Sequence, residues 1–241
     1  MDDNFPEGML ADIEKYMSVD YLRKPGADIY PGVFETNHFF PLQRQRELSE
    51  MIRVAKAIQP KVVMEIGADK GGGFYHWIKC IPSIEVAIAC EIRGTPYTDL
   101  FSKNFPDKRF IWAECSSRHA CCKPMIESAL EGRRIDVLFL DGDKSFYGLD
   151  FETYLPLMNP NGIVFMHDIR DCQPIRDDFN RLCSVYRHRE IIDVLDAEHA
   201  LERRRAGLPA LNPHENWLRH WAGRSCGVGV LWLGKPAGSN Q

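Results

Sequence analysis

The 241-residue sequence has no apolar run approaching the ~18 residues a membrane-spanning helix needs. Lys and Arg form no arm or stripe, so the electrostatic footprint of a nucleic-acid binder is missing, and the formal net charge is only −4. The single basic cluster, Arg203-Arg204-Arg205, is diluted by Glu198 and Glu202 and reads as a solvated helix face. No CxxC pair occurs among the eight cysteines. Their scatter, with one vicinal pair at Cys121-Cys122, excludes a zinc knuckle and a disulfide framework and suits reduced thiols. The first residues, MDDNFPEG, are acidic and carry no apolar core, which is not the pattern of a signal peptide. No internal repeat or low-complexity tract is visible. These absences lead to the expectation of a cytoplasmic protein with neither a membrane nor a nucleic acid as partner.

What is present centres on Val62–Gly73, VVMEIGADKGGG: a β-branched run, an acidic residue, then glycines. The spacing predicts a buried strand, a tight turn and a helix from about Phe74. Glycines at 67, 71, 72 and 73 allow positive φ and close approach of backbone to a ligand. A dinucleotide fingerprint needs a glycine in the middle of this loop to admit a pyrophosphate, but Asp69 stands there, and Glu65 adds a second carboxylate. Two carboxylates repel a diphosphate. They suit a ligand carrying an ammonium and a sulfonium, which describes S-adenosylmethionine.

Around this loop, strands and helices alternate. Residues 1–42, rich in Pro, Gly and aromatics, read as an N-terminal cover with a short helical pattern at Met9–Met17. Leu42–Ile58 has apolar residues at Leu48, Met51, Ile52, Ala55 and Ile58, the spacing of a helix with one buried face, ended by Gln59-Pro60. Strands are expected at Lys61–Ile66, Glu85–Glu91, Arg109–Ala113, Asp136–Asp141, Gly162–His167, Glu190–Leu195 and Val228–Leu233. Ser116 or Ser117 is a candidate N-cap for the helix after the third strand. Near-continuous apolar strands between helices predict an α/β fold with a mostly parallel sheet covered on both faces. Ligands of such sheets bind beyond the strands' carboxyl ends at the switch point. Glu65, Glu91, Asp141, His167 and Asp168 all fall at such ends.

The ordered set of motifs resembles class I S-adenosylmethionine-dependent methyltransferases: Glu65-Ile66-Gly67 with Gly71-Gly72, then IACE at 88–91, IDVLFLD at 135–141 and NGIVFMHD at 161–168. The resemblance covers roughly Gln43–Val194 plus Val228–Gly234. It implies a Rossmann-like sandwich with a seven-stranded, mostly parallel sheet, an antiparallel last strand and helices on both faces. The methyltransferase domain is expected over 43–241, with an insertion at about 196–227 between the last two strands. That insertion, with three histidines and two tryptophans, is either a surface hairpin or homo-oligomer contact, or a lid on the substrate pocket. The resemblance also implies cofactor contacts from Glu65, Gly67, Ala68, Asp69, Gly71, Glu91 and Asp141, Glu91 serving the ribose. Where the family often shows Gly-Asp-Ser with the aspartate on the adenine, this chain has Glu114-Cys115-Ser116, so any of these three stands in for that contact. Phe74, Tyr75, Trp77, Trp112 and Phe146 read as core packing rather than pocket lining.

The turn Asp141-Gly142-Asp143-Lys144 is similar to that of metal-dependent O-methyltransferases of the catechol and caffeoyl-coenzyme A type. It is also similar to sugar and macrolide O-methyltransferases and cephalosporin-hydroxylase-like proteins. There the first aspartate binds a divalent metal and the residue three further on is the base, which implies Asp141 and Lys144. At the fifth strand the family places a pair of oxygen or amide ligands, and this chain has His167-Asp168. Imidazole is a poor ligand for Mg²⁺ and a good one for Mn²⁺, Fe²⁺, Co²⁺ or Zn²⁺. Three outcomes stand open: a softer metal on Asp141, His167 and Asp168; a metal on the two aspartates alone; or no metal. His167 is also a candidate base.

The function expected is methyl transfer from S-adenosylmethionine to a hydroxyl oxygen of a small molecule, with a divalent metal such as Mg or Mn. The alternatives are an NAD-dependent oxidoreductase, against which Asp69 weighs, and a non-catalytic protein that keeps the fold.

Overall fold

A computed structural model of the chain describes residues 43, 45–94, 98–170, 172–192, 205–207 and 226–236. The expected N-terminal cover, its helical pattern at Met9–Met17 and nearly all of the 196–227 insertion lie outside the described residues.

Seven strands form one sheet: β1 (Val62–Ile66), β2 (Val86–Cys90), β3 (Arg109–Ala113), β4 (Ile135–Leu140), β5 (Met158–His167), β6 (Tyr186–Ile191) and β7 (Val228–Pro236). Their spatial order is β3-β2-β1-β4-β5-β7-β6. β1 through β5 pair in parallel, whereas β7 runs antiparallel between β5 and β6. The order reverses between β1 and β4, so their carboxyl ends splay and open a crevice between the helices that follow them. This is the Rossmann-like methyltransferase architecture, with its antiparallel seventh strand.

Helices cover both faces. α1 (Gln45–Lys56), α2 (Gly72–Cys80) and α3 (Thr98–Asn104) pack on one, and α4 (Cys122–Leu130), α5 (Tyr147–Tyr154) and α6 (Gln173–Cys183) on the other. Strand alternation explains the division. Val63, Val137, Phe139, Ile163 and Phe165 point to the first face; Val62, Met64, Leu138, Val164 and Met166 point to the second. Trp77 of α2 seats its ring 5.9 Å from Phe139 and 5.6 Å from Phe165, so one helix side chain ties β4 to β5. Truncating Phe139 to Ala there would cost about 3–5 kcal/mol.

Three strands differ from the sequence expectation by more than one residue: β5 begins at Met158 rather than Gly162, β7 runs on to Pro236 rather than Leu233, and the sixth is displaced as a whole. The sixth strand is Tyr186–Ile191 rather than Glu190–Leu195. It is one of the sheet's two edge strands, bonded among the described strands only to β7, so Tyr186–Glu190 stay at least partly solvated and no apolar run marks it. The N-cap expectation also changes. α4 begins at Cys122 behind Cys121, with no side-chain cap, because Ser117 is turned inward and donates to the buried Asp150 carboxylate at 2.7 Å.

Candidate active site

The glycine turn sets the first wall of the crevice. Gly67 has φ +86°, and a Cβ there would run into the backbone carbonyl of Asp141. Only glycine lets the β1 and β4 ends approach this closely. Asp69 (φ +46°) and Gly71 (φ +90°) complete the turn, and Gly71 leads directly into α2. Gly72 and Gly73 are ordinary helical residues; at Gly73 a Cβ would lie 2.9 Å from Glu65 Oε1.

Two carboxylates face this turn. Glu65 is 1% exposed, its Oε2 has no hydrogen-bond partner, and burial with help from Asp141 and Glu91 pushes its carboxyl well above the usual range. A buried, orphaned acid aimed at a cleft is matched by a cationic ligand. Glu91 is fixed differently. One oxygen accepts the Asp69 N–H at 2.9 Å and the other the Arg93 N–H at 3.1 Å. This holds the carboxylate side-on, with lone pairs left for paired hydroxyls.

The second wall comes from β4 and β5. Asp141 follows β4, His167 ends β5, and Asp168 follows it in a left-handed turn at φ +56°. Lys144 Nζ donates to Asp141 Oδ1 at 2.6 Å and lies 2.6 Å from Asp168 Oδ2, with Tyr147 Oη 3.1 Å away. His167 Nδ1 lies 3.1 Å from Asp141 Oδ1 and 3.3 Å from Asp168 Oδ1. The carboxylates hold the lysine ammonium and the imidazole above their ordinary pKa against the opposing effect of burial. In turn His167 and Lys144 hold both aspartates below theirs, again against burial. Asp141, His167 and Asp168 each offer one ligand atom, all within 4.8 Å of one another.

Nearly every sequence-predicted residue lines one cleft of about 700 Å³: Glu65, Gly67, Ala68, Asp69, Glu91, Cys115, Ser116, Asp141, Lys144, His167 and Asp168. That volume accommodates a nucleoside-sized ligand with room for a small acceptor. Gly71 and Glu114 are outside its lining. Gly71 shapes the turn from behind, and Glu114 is exposed, near Gly94. None of the five aromatics lines the cleft. Phe74, Tyr75 and Trp77 are core, Trp112 stacks on Phe110, and Phe146 carries the Arg118 guanidinium 3.4 Å above its ring.

Sequence reasoning missed Gln43 and Glu47. Gln43 donates from Nε2 to Asp141 Oδ2 at 2.6 Å. Glu47 is fully buried on α1; one oxygen accepts the Gly227 N–H at 3.1 Å and the other lies 3.8 Å from His167 Nε2. The signal was available. Glu47 falls four and eight residues before Met51 and Ala55, on the buried stripe of its helix, where an unpaired charge has no structural reason to sit.

Residues 64–169 match a family model described as a methyltransferase domain, from the middle of β1 to just past β5. No curated protein sequence matches the chain. Among solved structures, the chain resembles an O-methyltransferase from Bacillus cereus in complex with SAH (TM-score 0.50, 13% identity, 96% of this chain and 93% of that one). It also resembles the O-methyltransferase TomG from Streptomyces achromogenes in complex with SAM (TM-score 0.53, 12% identity, 95% and 90%). A third is a Podospora anserina methyltransferase bound to SAH (TM-score 0.50, 18% identity, 95% and 88%). At these identities the likeness is one of fold. Among the described residues no helix is long and apolar enough to cross a membrane.

Proposed function

We propose that this chain, which has the class I methyltransferase fold with a methyltransferase domain match over residues 64–169, transfers a methyl group from S-adenosylmethionine to a hydroxyl oxygen of a small molecule. The observation that carries the reading is the pairing of two different charge environments in one cleft. Glu65 and Glu91 flank the glycine turn, and an Asp141–Lys144–His167–Asp168 cluster faces them from the neighbouring strand ends.

The buried Glu65 carboxyl supplies the negative charge for a cationic methionine moiety, and Glu91 accepts from ribose hydroxyls. The turn at Gly67–Gly71 brings backbone within reach with no Cβ in the way. The cofactor brings a methyl carbon on a positive sulfur: its C–S bond breaks as the acceptor's oxygen forms the new C–O bond, leaving a neutral thioether. The acceptor hydroxyl must also lose its proton. Lys144 Nζ and the His167 imidazole are the groups at the cleft that can hold it, and both carry a proton while the aspartates are paired with them. Lys144 becomes a base only when those carboxylates are engaged elsewhere.

The donor set fits a divalent cation. Two carboxylates and an imidazole converge, and the Lys144 ammonium already occupies the space between the carboxylates as a positive charge would. Asp141, Asp168 and His167 would hold the ion, which would acidify the hydroxyl and fix its oxygen. The imidazole favours Mn²⁺, Co²⁺ or Zn²⁺ over Mg²⁺.

The test is calorimetry with S-adenosylmethionine, S-adenosylhomocysteine and NAD, followed by a screen of phenolic, sugar and macrolide hydroxyls for production of S-adenosylhomocysteine. Binding of the first two compounds with turnover on a hydroxyl supports the reading. Tight NAD binding with neither of the others would sink it.

A further inference from the structure

The His167 imidazole is held on three sides. Nδ1 faces Asp141 Oδ1 at 3.1 Å and Asp168 Oδ1 at 3.3 Å. The Phe139 ring meets it edge to face, with 6.1 Å between centroids. On the far side, Glu47 Oε2 lies 3.8 Å from Nε2, and these two buried atoms have no hydrogen-bond partner. Glu47 stands in the first turn of α1, where the helix dipole favours an acid, and its other oxygen accepts the Gly227 N–H at 3.1 Å. Neither role needs a second oxygen, fully buried and turned to an imidazole. Leaving both atoms unpaired is costly. The gap exceeds a hydrogen bond by about 1 Å, which a small side-chain rotation closes, and it is too short for a water in line. Turned over, the ring would set carbons against all three carboxylates, so the acids on its two sides also fix which way it lies.

We propose that Glu47 is the positioning residue of His167: it accepts the Nε2 proton and keeps it there, so that Nδ1 is the nitrogen turned over to a divalent cation between Asp141 and Asp168. A carboxylate behind a ligating histidine fixes the ring's tautomer and raises its basicity toward the ion. The proposal rests on the reading of Asp141, His167 and Asp168 as a cation site. It adds a device that reaches the site from outside the strand ends. Gly227, which shares the Glu47 carboxyl, accepts the Ile169 N–H through its carbonyl at 3.3 Å, two residues past His167. One acid on α1 thus holds both the imidazole and the segment leading into β7 against the end of β5.

The unsubstituted protein tests the contact first. With nitrogen-15-labelled histidine, the His167 signal, identified by its loss in His167→Ala, should show an Nε2 proton that is shifted downfield and exchanges slowly. An Nε2 without a proton would overturn the proposal. Glu47→Gln keeps an acceptor for the Gly227 N–H but turns an amide donor toward Nε2, so that proton signal should move or vanish; an unchanged one also counts against Glu47. Mn²⁺ alone, titrated by calorimetry, should bind Glu47→Gln about 10–100-fold more weakly, the usual worth of such a carboxylate. Mg²⁺ should change far less, since imidazole is a poor ligand for it. In a His167→Ala background, Glu47→Gln should cost Mn²⁺ nothing further. An equal loss with and without the imidazole would mean that Glu47 only supports the fold, and the proposal fails. If the protein binds S-adenosylhomocysteine but no Mn²⁺, the cofactor reading stands and this proposal falls. If it binds Mn²⁺ but neither adenosyl compound, the methyltransferase reading falls and the Nε2 proton still decides the role of Glu47.

Discussion

Lys144 Nζ lies 2.6 Å from Asp168 Oδ2, and the same ammonium donates to Asp141. One residue in the turn that follows β4 thus closes the gap between two strand ends. As it stands the lysine is a counter-ion: the carboxylates around it raise its affinity for a proton. Its two possible jobs, cation and base, separate in one variant. Lys144→Met should lower kcat by about 10²–10⁴-fold, the usual worth of a general base, and leave cofactor affinity nearly unchanged in calorimetry. If kcat stays within a few-fold of wild type while His167→Ala collapses it, the proton goes to His167.

Metal dependence follows from the same cluster. If Asp141, His167 and Asp168 hold a divalent ion, exhaustive chelation abolishes transfer, and Mn²⁺ or Co²⁺ restores it at least as well as Mg²⁺ because imidazole is one of the donors. Full activity after chelator treatment removes the metal from the mechanism. A clear preference for Mg²⁺ would show that His167 does not ligate it.

Glu65 gives the cleft a pH dependence of definite sign. Its carboxyl is raised in the folded protein, so the stability it contributes is full below its ordinary pKa and lost as pH rises through the folded value. A ligand ammonium or sulfonium reverses this, since it needs the ionised form. S-adenosylmethionine affinity should therefore rise with pH between the ordinary carboxylate range and the raised one, with proton release on binding. Calorimetry in buffers of different ionisation enthalpy measures that release, and Glu65→Gln should eliminate it.

Glu91 is already oriented by two backbone N–H groups. Glu91→Ala should weaken binding of either adenosyl compound by about 1.5–3 kcal/mol, the value of hydrogen bonds to a charged group. A titration showing unchanged affinity would exclude Glu91 as the ribose ligand.

Glu47 serves the Gly227 N–H from a helix 180 residues away in sequence. Glu47→Leu should destabilise the fold by about 1–3 kcal/mol in urea unfolding, because it leaves a buried donor without its acceptor. No loss would mean that the N–H finds another partner.

The sequence by itself determined the sheet and the side of it that matters. Runs such as VVMEI and IDVLFL are apolar on both faces because they lie between helices, so their periodicity is legible without coordinates. Their ends carry Glu65, Asp141, His167 and Asp168 because a parallel sheet points its carboxyl ends one way. The sequence pattern puts the edge strand β6 at Glu190–Leu195, four residues past its place at Tyr186–Ile191, since a partly solvated strand paired on one side needs no apolar run to mark it. Only the tertiary structure decided what the charges do to one another. Asp141, Lys144 and Asp168 span 28 positions of chain, and no spacing rule says that one ammonium bonds both carboxylates. Glu47 and Gln43 enter the site from a helix and its approach that precede the first strand. Burial and distance fix a side chain's charge state, and both belong to the folded molecule: a carboxylate is an ordinary acid in the sequence and becomes a retained proton or a cation's partner only where the packing removes its water.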